Sequence, residues 1–250
     1  MKCLFSGLTD PGLIRSVNQD NFHIDPAGRF FVVADGMGGH AGGQEASRIA
    51  TQTICTYLED HWATDQVSSE LLEQALLGAN QAILQDQATH PERSDMGTTA
   101  VAVICRNEEY WCAHIGDSRL YRLRGATLDQ ITEDHTWVAR AIKVGDLTTD
   151  QARVHPWRHI LSKCLGREDV RHIDVQAVDV RPSDRLLLCS DGLTEELSDH
   201  LIAMHLKTIR ACDKAAAALV NAARENGGRD NITVVIMVAE PNMSQNSFNA

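Results

Sequence analysis

The sequence predicts a single α+β domain, and three observations carry that reading. A continuous apolar run, Phe30-Phe31-Val32-Val33-Ala34, is followed with no intervening strand by two long stretches of helical periodicity. A group of β-rich segments comes next, joined by short polar connections. No Pro-rich linker, internal repeat or low-complexity tract divides the 250 residues.

Each element follows from its local pattern. Phe30 to Ala34 reads as a buried strand, stopped at the turn pair Asp35-Gly36. A glycine-rich loop leads into helices over Gly42–His61 and Ser68–Thr89. In the second helix Leu71, Leu72, Ala75, Leu76, Ala79 and Ile83 share one face, and Ser68 or Ser69 supplies the cap. Residues 98–105, 110–115 and 119–124 are β-rich, and the polar connections 106–108 and 116–118 are short enough for an antiparallel meander. Between residues 136 and 166 short helical pieces broken at Gly145 and Pro156 replace the strand signal, which reads as an insertion on a sheet edge. Strands return at 172–178 and 184–190, a helix covers about 213–226, and Ile232–Ala239 is a final strand. Residues 241–250 are polar and are expected to form a frayed tail.

Composition narrows the function. Lys and Arg number 23 against 34 Asp and Glu, a net charge of −11 that argues against nucleic acid as the main partner, because phosphate backbones are held chiefly by basic side chains. Such a balance suits cation binding. Seven cysteines are scattered without a Cys-x-x-Cys pair, and several sit inside apolar runs, so free thiols in a reducing compartment are expected. The N-terminal apolar region is too short for a secretory signal, and no apolar run approaches the roughly 20 residues of a membrane span. A cytoplasmic protein with no membrane contact is expected.

Four segments start or stop at an aspartate beside glycine or asparagine: Asp35-Gly36, Gly116-Asp117, Asp191-Gly192 and Asp230-Asn231. One such pair alone is an ordinary turn. As a set they place several carboxylates at converging strand ends, where only a multivalent cation relieves their repulsion. An all-oxygen donor set selects a hard cation, Mg²⁺ or Mn²⁺. Arg15, five residues before Asp20, is the guanidinium fork that would hold a phosphate dianion beside such a site. The chemistry these residues describe is metal-assisted hydrolysis of a phosphate ester.

Seven ordered motifs sharpen it. Arg15-x-x-Asn18-x-Asp20, Asp35-Gly36-Met37-Gly38-Gly39-His40, Met96-Gly97-Thr98-Thr99, Gly116-Asp117-Ser118-Arg119, Thr132-x-Asp134-His135, Ser190-Asp191-Gly192-Leu193 and Gly228-x-Asp230-Asn231 resemble those of the bacterial type 2C, metal-dependent protein serine/threonine phosphatases. The resemblance runs from about residue 6 to 239. It implies one catalytic domain over 1–240, built as two packed antiparallel β-sheets flanked by helix pairs, with a flap at about 136–166. It also implies two Mn²⁺ or Mg²⁺ ions and a weaker third. Asp35 would bridge the two, the Gly36 carbonyl would complete the first, Asp191 and Asp230 would hold the second, and Asp117 with Asp191 the third. Asp20 would act from behind these ligands, and Arg15 would bind the phosphate. Hydrolysis would proceed by direct attack of a water bridging the two ions, with no nucleophilic side chain. Substrates would be phosphorylated proteins, those of a Ser/Thr kinase, and the chain a monomer.

The eukaryotic relatives carry a general-acid histidine where this chain has Met37, which cannot donate a proton. His40 is the substitute candidate, or else a structural hydrogen-bonding group. Two rival readings remain. Gly36-Met37-Gly38-Gly39-His40-Ala41 fits the dinucleotide string G-x-G-x-x-A, but a second helix stands where a βαβ unit needs a strand. A phosphate-binding relative without activity is the other, and the four intact aspartates speak against it. His155 and His159 are read as surface histidines, since Pro156 interrupts their helix, and Trp137 and Trp157 as local packing. The segment 136–167 carries six basic residues against Asp146 and Asp150, a local +4 that suggests either a solvated face or a site recruiting acidic phosphoproteins.

Overall fold

The computed structural model describes residues 3–39 and 42–239. Three strands open the chain, β1 (Cys3–Asp10), β2 (Asp20–Ile24) and β3 (Phe30–Met37), followed by helices α1 (Gly42–His61) and α2 (Ser68–Thr89). The two-residue β4 (Gly97–Thr98) leads into β5 (Ala100–Arg106), β6 (Glu109–Ile115), β7 (Arg119–Arg124) and β8 (Thr127–Gln130). Short helices α3 (Trp137–Lys143) and α4 (Thr149–Arg153) precede β9 (Asp174–Val178) and β10 (Arg185–Cys189). Helices α5 (Asp191–Thr194), α6 (Asp199–Thr208) and α7 (Cys212–Glu225) lead to β11 (Ile232–Ala239).

The strands form two antiparallel sheets, one ordered β1-β11-β10-β7-β8 and the other β2-β3-β5-β6-β9, with β4 paired to β3. Strand alternation distributes the apolar side chains among three cores. Along β3, Phe30, Val32 and Ala34 join Leu71, Leu76 and Ile83 beneath α1 and α2. Phe31 and Val33 face the other way and meet Leu186, Leu188, Val235 and Met237 of the opposite sheet. The outer face of that sheet, with Leu187, Cys189, Val234 and Ile236, is covered by α5, α6 and α7, including Leu206 and Leu219. The unbroken apolar run therefore marks a strand covered on both faces.

Two expectations need correction. The meander does not form: β5 and β6 pair through Arg106 and Glu109, but β7 lies in the other sheet against β10. Gly116 makes the crossing. It takes φ +102°, and a Cβ there would sit 2.5 Å from Thr99 Cγ2, so the connection turns too sharply for another residue. Nor does Ser68 or Ser69 cap α2; the cap is Val67, without a side-chain hydrogen bond, and Ser68 is already helical. Strands β1, β2 and β8 and helix α6 lacked a clear sequence signal. β1 is held by its full register on β11, Cys3 opposite Ala239 through Asp10 opposite Ile232.

Chain 136–166 leaves from β8 at the edge of one sheet and returns to β9 at the edge of the other. Thr136 caps α3 by accepting from the Ala139 amide, and Thr148 with Gln151 closes a capping box on α4. Trp137, His155 and Trp157 pack ring on ring, with both Trp137 contacts at 5.0 Å between centroids. Helices α1 and α2 follow β3 in the chain and the next strands pair antiparallel with it, so among the described residues there is no βαβ unit here.

β3 and α1 meet through two glycines. A Cβ on Gly36 would lie 1.9 Å from the Gly43 carbonyl oxygen, a backbone atom with no room to retreat. Gly36→Ala should therefore lower the free energy of unfolding by at least about 3 kcal/mol, the upper range for overpacking. Denaturant unfolding measures it, and an unchanged midpoint would show that the two segments separate freely.

Candidate active site

The alternation that fills the middle core also aims the carboxylates. Phe22 and Ile24 of β2 pack between the sheets, as Phe31 and Val33 do, so Asp20 and Asp35 continue the same inter-sheet faces at the end where the sandwich opens. Their backbones are direct cross-strand partners. Ser190 directly follows β10 and Thr233 lies in β11, and their hydroxyls donate to Asp20 Oδ2 at 2.7 and 2.6 Å. Asp20 thus ties one sheet to the other.

The remaining acids arrive from three turns at the same end. Asp117 sits in the turn that crosses between the sheets, Asp191 opens α5 directly after β10, and Asp230 precedes β11. Small residues permit the approach: a Cβ on Gly192 would lie 2.0 Å from the Asn231 carbonyl oxygen. Asn231 holds the loop bearing Arg15, donating to the Pro11 and Val17 carbonyls at 3.0 Å and accepting the Gln19 amide at 2.7 Å. Arg15 Nη2 reaches Asp230 Oδ2 at 2.8 Å. Thr98 Oγ1 donates to the Asp35 carbonyl at 2.8 Å, while Thr99 Oγ1 accepts the Asp35 amide at 3.0 Å and bonds Ser118 Oγ at 2.7 Å. Thr98 and Ser118 therefore brace the backbone of Asp35.

Electrostatics mark the cluster as unfinished. Burial, and then Asp20, Asp191, Asp117 and Asp230 around it, push the Asp35 carboxyl well above the usual carboxylate range. Burial followed by Asp191 and Asp134 does the same to Asp117. Asp20 is pushed up to about 7, by burial and against its two hydroxyl donors. Asp191 rises to about 6 through burial, Glu195 and Asp230. Asp20 Oδ1 and Asp191 Oδ1 are buried without a hydrogen-bond partner. Converging carboxylates with spare oxygen lone pairs, of which Arg15 reaches only Asp230, fit hard divalent ions.

Arg15, Asp35, Gly36, Asp117, Asp191 and Asp230 all line one cleft of about 670 Å³, so the sequence-selected residues are brought together. Asp20 lies behind Asp35. His40 falls outside the described residues. His159 is exposed, as a surface histidine should be, and it also lines the cleft: its Nδ1 lies 2.5 Å from Glu195 Oε1, and with Asp191 the three form a compact donor group. A flap histidine far in sequence from any aspartate motif carried no signal of this, and Glu195 follows Asp191 by one helical turn without a motif of its own. His155 stays with the tryptophans. Among the described residues six cysteines form no disulfide, and burial pushes Cys55 and Cys189 up to about 12, so those two thiols remain unreactive.

Similarity to known proteins agrees with this geometry. The serine/threonine phosphatase Stp of Listeria welshimeri is 35% identical over 97% of this chain and 97% of its own length. The serine/threonine protein phosphatase PstP of Mycobacterium tuberculosis is 34% identical over 93% of this chain, which spans only 44% of that longer protein. The crystal structure of the PstP catalytic domain in complex with two manganese ions superposes with a TM-score of 0.85 at 32% identity, covering 96% of this chain and 99% of that one. The description of the matching family model is Protein phosphatase 2C, and it spans residues 15–232. This chain belongs to the protein phosphatase 2C family.

Proposed function

We propose that the protein is a metal-dependent protein serine/threonine phosphatase that hydrolyses phosphoserine and phosphothreonine esters, acting in the cytoplasm on substrates of a Ser/Thr kinase as a monomeric catalytic domain over 1–240. The observation that carries this reading is the convergence of Asp35, Asp117, Asp191 and Asp230 in one cleft beside Arg15. Two Mn²⁺ or Mg²⁺ ions suit Asp35, the Gly36 carbonyl, Asp191 and Asp230, and a weaker third suits Asp117 with Asp191. When bound, such ions polarise the phosphoryl oxygens and acidify water within reach of the ester.

The protein's own groups do the rest. Arg15 is paired with Asp230 on a half-exposed surface, where ion pairs are worth little, so its guanidinium can turn to the phosphate oxygens at small cost. Asp20, fixed through one oxygen by Ser190 and Thr233, offers Oδ1 as an acceptor that orients water. His159, held by Glu195, is the imidazole within the described cleft that can hand a proton to the departing serine or threonine oxygen. A groove of about 790 Å³ under the flap shares Asp117, Asp191 and Arg158 with the cleft and gives room for a polypeptide on either side of the phosphoresidue.

Hydrolysis of a phosphothreonine peptide and an aryl phosphate should require Mn²⁺ or Mg²⁺, and excess EDTA should abolish it; full activity in EDTA would sink the reading. Asp35→Asn, Asp191→Asn and Asp230→Asn should each lower kcat by about 100-fold or more. Asp117→Ala should leave two Mn²⁺ bound by calorimetry yet impair turnover, and wild-type kinetics at saturating Mn²⁺ would refute a role for the third ion.

His159→Gln separates proton donation from positioning. A serine alkoxide needs a proton to depart whereas nitrophenolate does not, so kcat on the peptide should fall about tenfold or more with the aryl ester little changed. Equal losses on both would place His159 in ion or phosphate binding instead.

The flap's charge is smaller than its composition suggests. Lys143 pairs with Glu133 at 2.9 Å and Lys163 with Asp174 at 3.2 Å, both partners lying outside the segment. The basic recruitment surface therefore rests on fewer groups. Arg140→Gln combined with Arg153→Gln should lower kcat/KM for an acidic phosphoprotein and flatten its salt dependence while sparing the aryl ester. Equal effects on the two substrates would show that these arginines select nothing.

A further inference from the structure

At the root of the flap, His114, His135 and Asp174 bring three donor atoms within 4.8 Å of one another. The bonds around them exclude a metal. The Gly116 amide donates to His135 Nδ1 at 3.1 Å, so that nitrogen carries the lone pair and the ring proton sits on Nε2. Nε2 lies 2.6 Å from Asp174 Oδ2, which also receives Lys163 Nζ at 3.2 Å. An ion on Nε2 would force the proton to Nδ1, against the Gly116 N–H, and would face an ammonium already on its carboxylate.

What the bonds describe instead is a clamp. His135 grips Gly116 at both ends, because its own amide donates to the Gly116 carbonyl at 2.9 Å while its ring accepts the Gly116 amide. The ring is stacked on His114 at 4.7 Å and 16° between planes, and His114 stands directly across the sheet from Asp174. Burial, with His114 and Lys163 nearby, pushes His135 down to about 4, which keeps it in the neutral form the clamp needs. The two ends of the flap meet at the same point. Ser162 donates to the His135 carbonyl at 2.8 Å, Thr136 bridges to Leu161, and Lys163 and His135 share the one Asp174 oxygen.

We propose that His135 is a positioning residue, oriented by Asp174, that fixes the Gly116-Asp117 turn and joins it to both ends of the flap, so that flap seating and the reach of the Asp117 carboxylate vary together. The functional part rests on the reading of Asp117 as a cation ligand given above. Neither residue touches the reacting atoms; each acts through the turn.

Amide hydrogen exchange on the metal-free chain, paired with calorimetric Mn²⁺ titration, tests it. In His135→Gln the longer amide reaches toward Asp174 but abandons the Gly116 amide. Exchange at residues 116–118 should then quicken about tenfold or more, and the weakest Mn²⁺ should loosen to a similar degree. In His135→Asn the side-chain oxygen stands near the place of Nδ1 and keeps the Gly116 bond. The turn should stay protected while residues 136–163 exchange faster. A turn equally protected in both variants, or exchange that rises evenly through both sheets, would overturn the proposal. Loosening at 116–118 with an unchanged Mn²⁺ titration would uphold the clamp and sink the reading of Asp117 instead.

Discussion

Like charges brought close in a low-dielectric cleft repel, and the end of this sandwich is built around that repulsion. Asp20 and Asp35 stand directly opposite on neighbouring strands, a pairing that destabilises a sheet on its own. Asp117, Asp191 and Asp230 add to it from three turns. Folding keeps them there because the groups around them are over-determined: two hydroxyls on Asp20, two threonine hydroxyls on the Asp35 backbone, and glycines that let strand ends touch. The unpartnered oxygens of Asp20 and Asp191 and the raised carboxyl pKa values are the residue of a structure that divalent ions complete.

Much of this was legible in the sequence, for a physical reason. The run Phe30 to Ala34 is apolar at every position because both of its faces are covered, and α1 and α2 have the bounds their periodicity gave. The strand-end aspartates announced themselves because each interrupts an apolar segment. Sheet membership was not legible. A period of two tells which face a residue takes, not which sheet its strand joins, so the short polar turn at 116–118 read as a hairpin when it is a crossing between layers. β1 and β2 carry Gly7, Asn21 and His23 and look mixed because both are edge strands and β2 begins in the site.

Side-chain partnerships across long separations were also invisible. Nothing local links His159 to Glu195 or His135 to Asp174, yet the first pair ties the flap to the residue just after α5 and the second ties the flap's root to β9. The charge count of the flap misled for the same reason. Summing charges within a segment ignores carboxylates such as Glu133 and Asp174 that lie just beyond it and neutralise two of its lysines.

The stability of the chain against unfolding, measured with and without Mn²⁺, tests the central claim most directly. If mutual repulsion is the cost of the site and cations relieve it, Asp191→Asn should unfold at higher denaturant than the parent when metal is removed. Mn²⁺ at a hundredfold its dissociation constant should stabilise the parent by about 2.7 kcal/mol for a single site and the variant by much less. A variant less stable than the parent in the absence of metal, or a parent indifferent to Mn²⁺, would contradict the account.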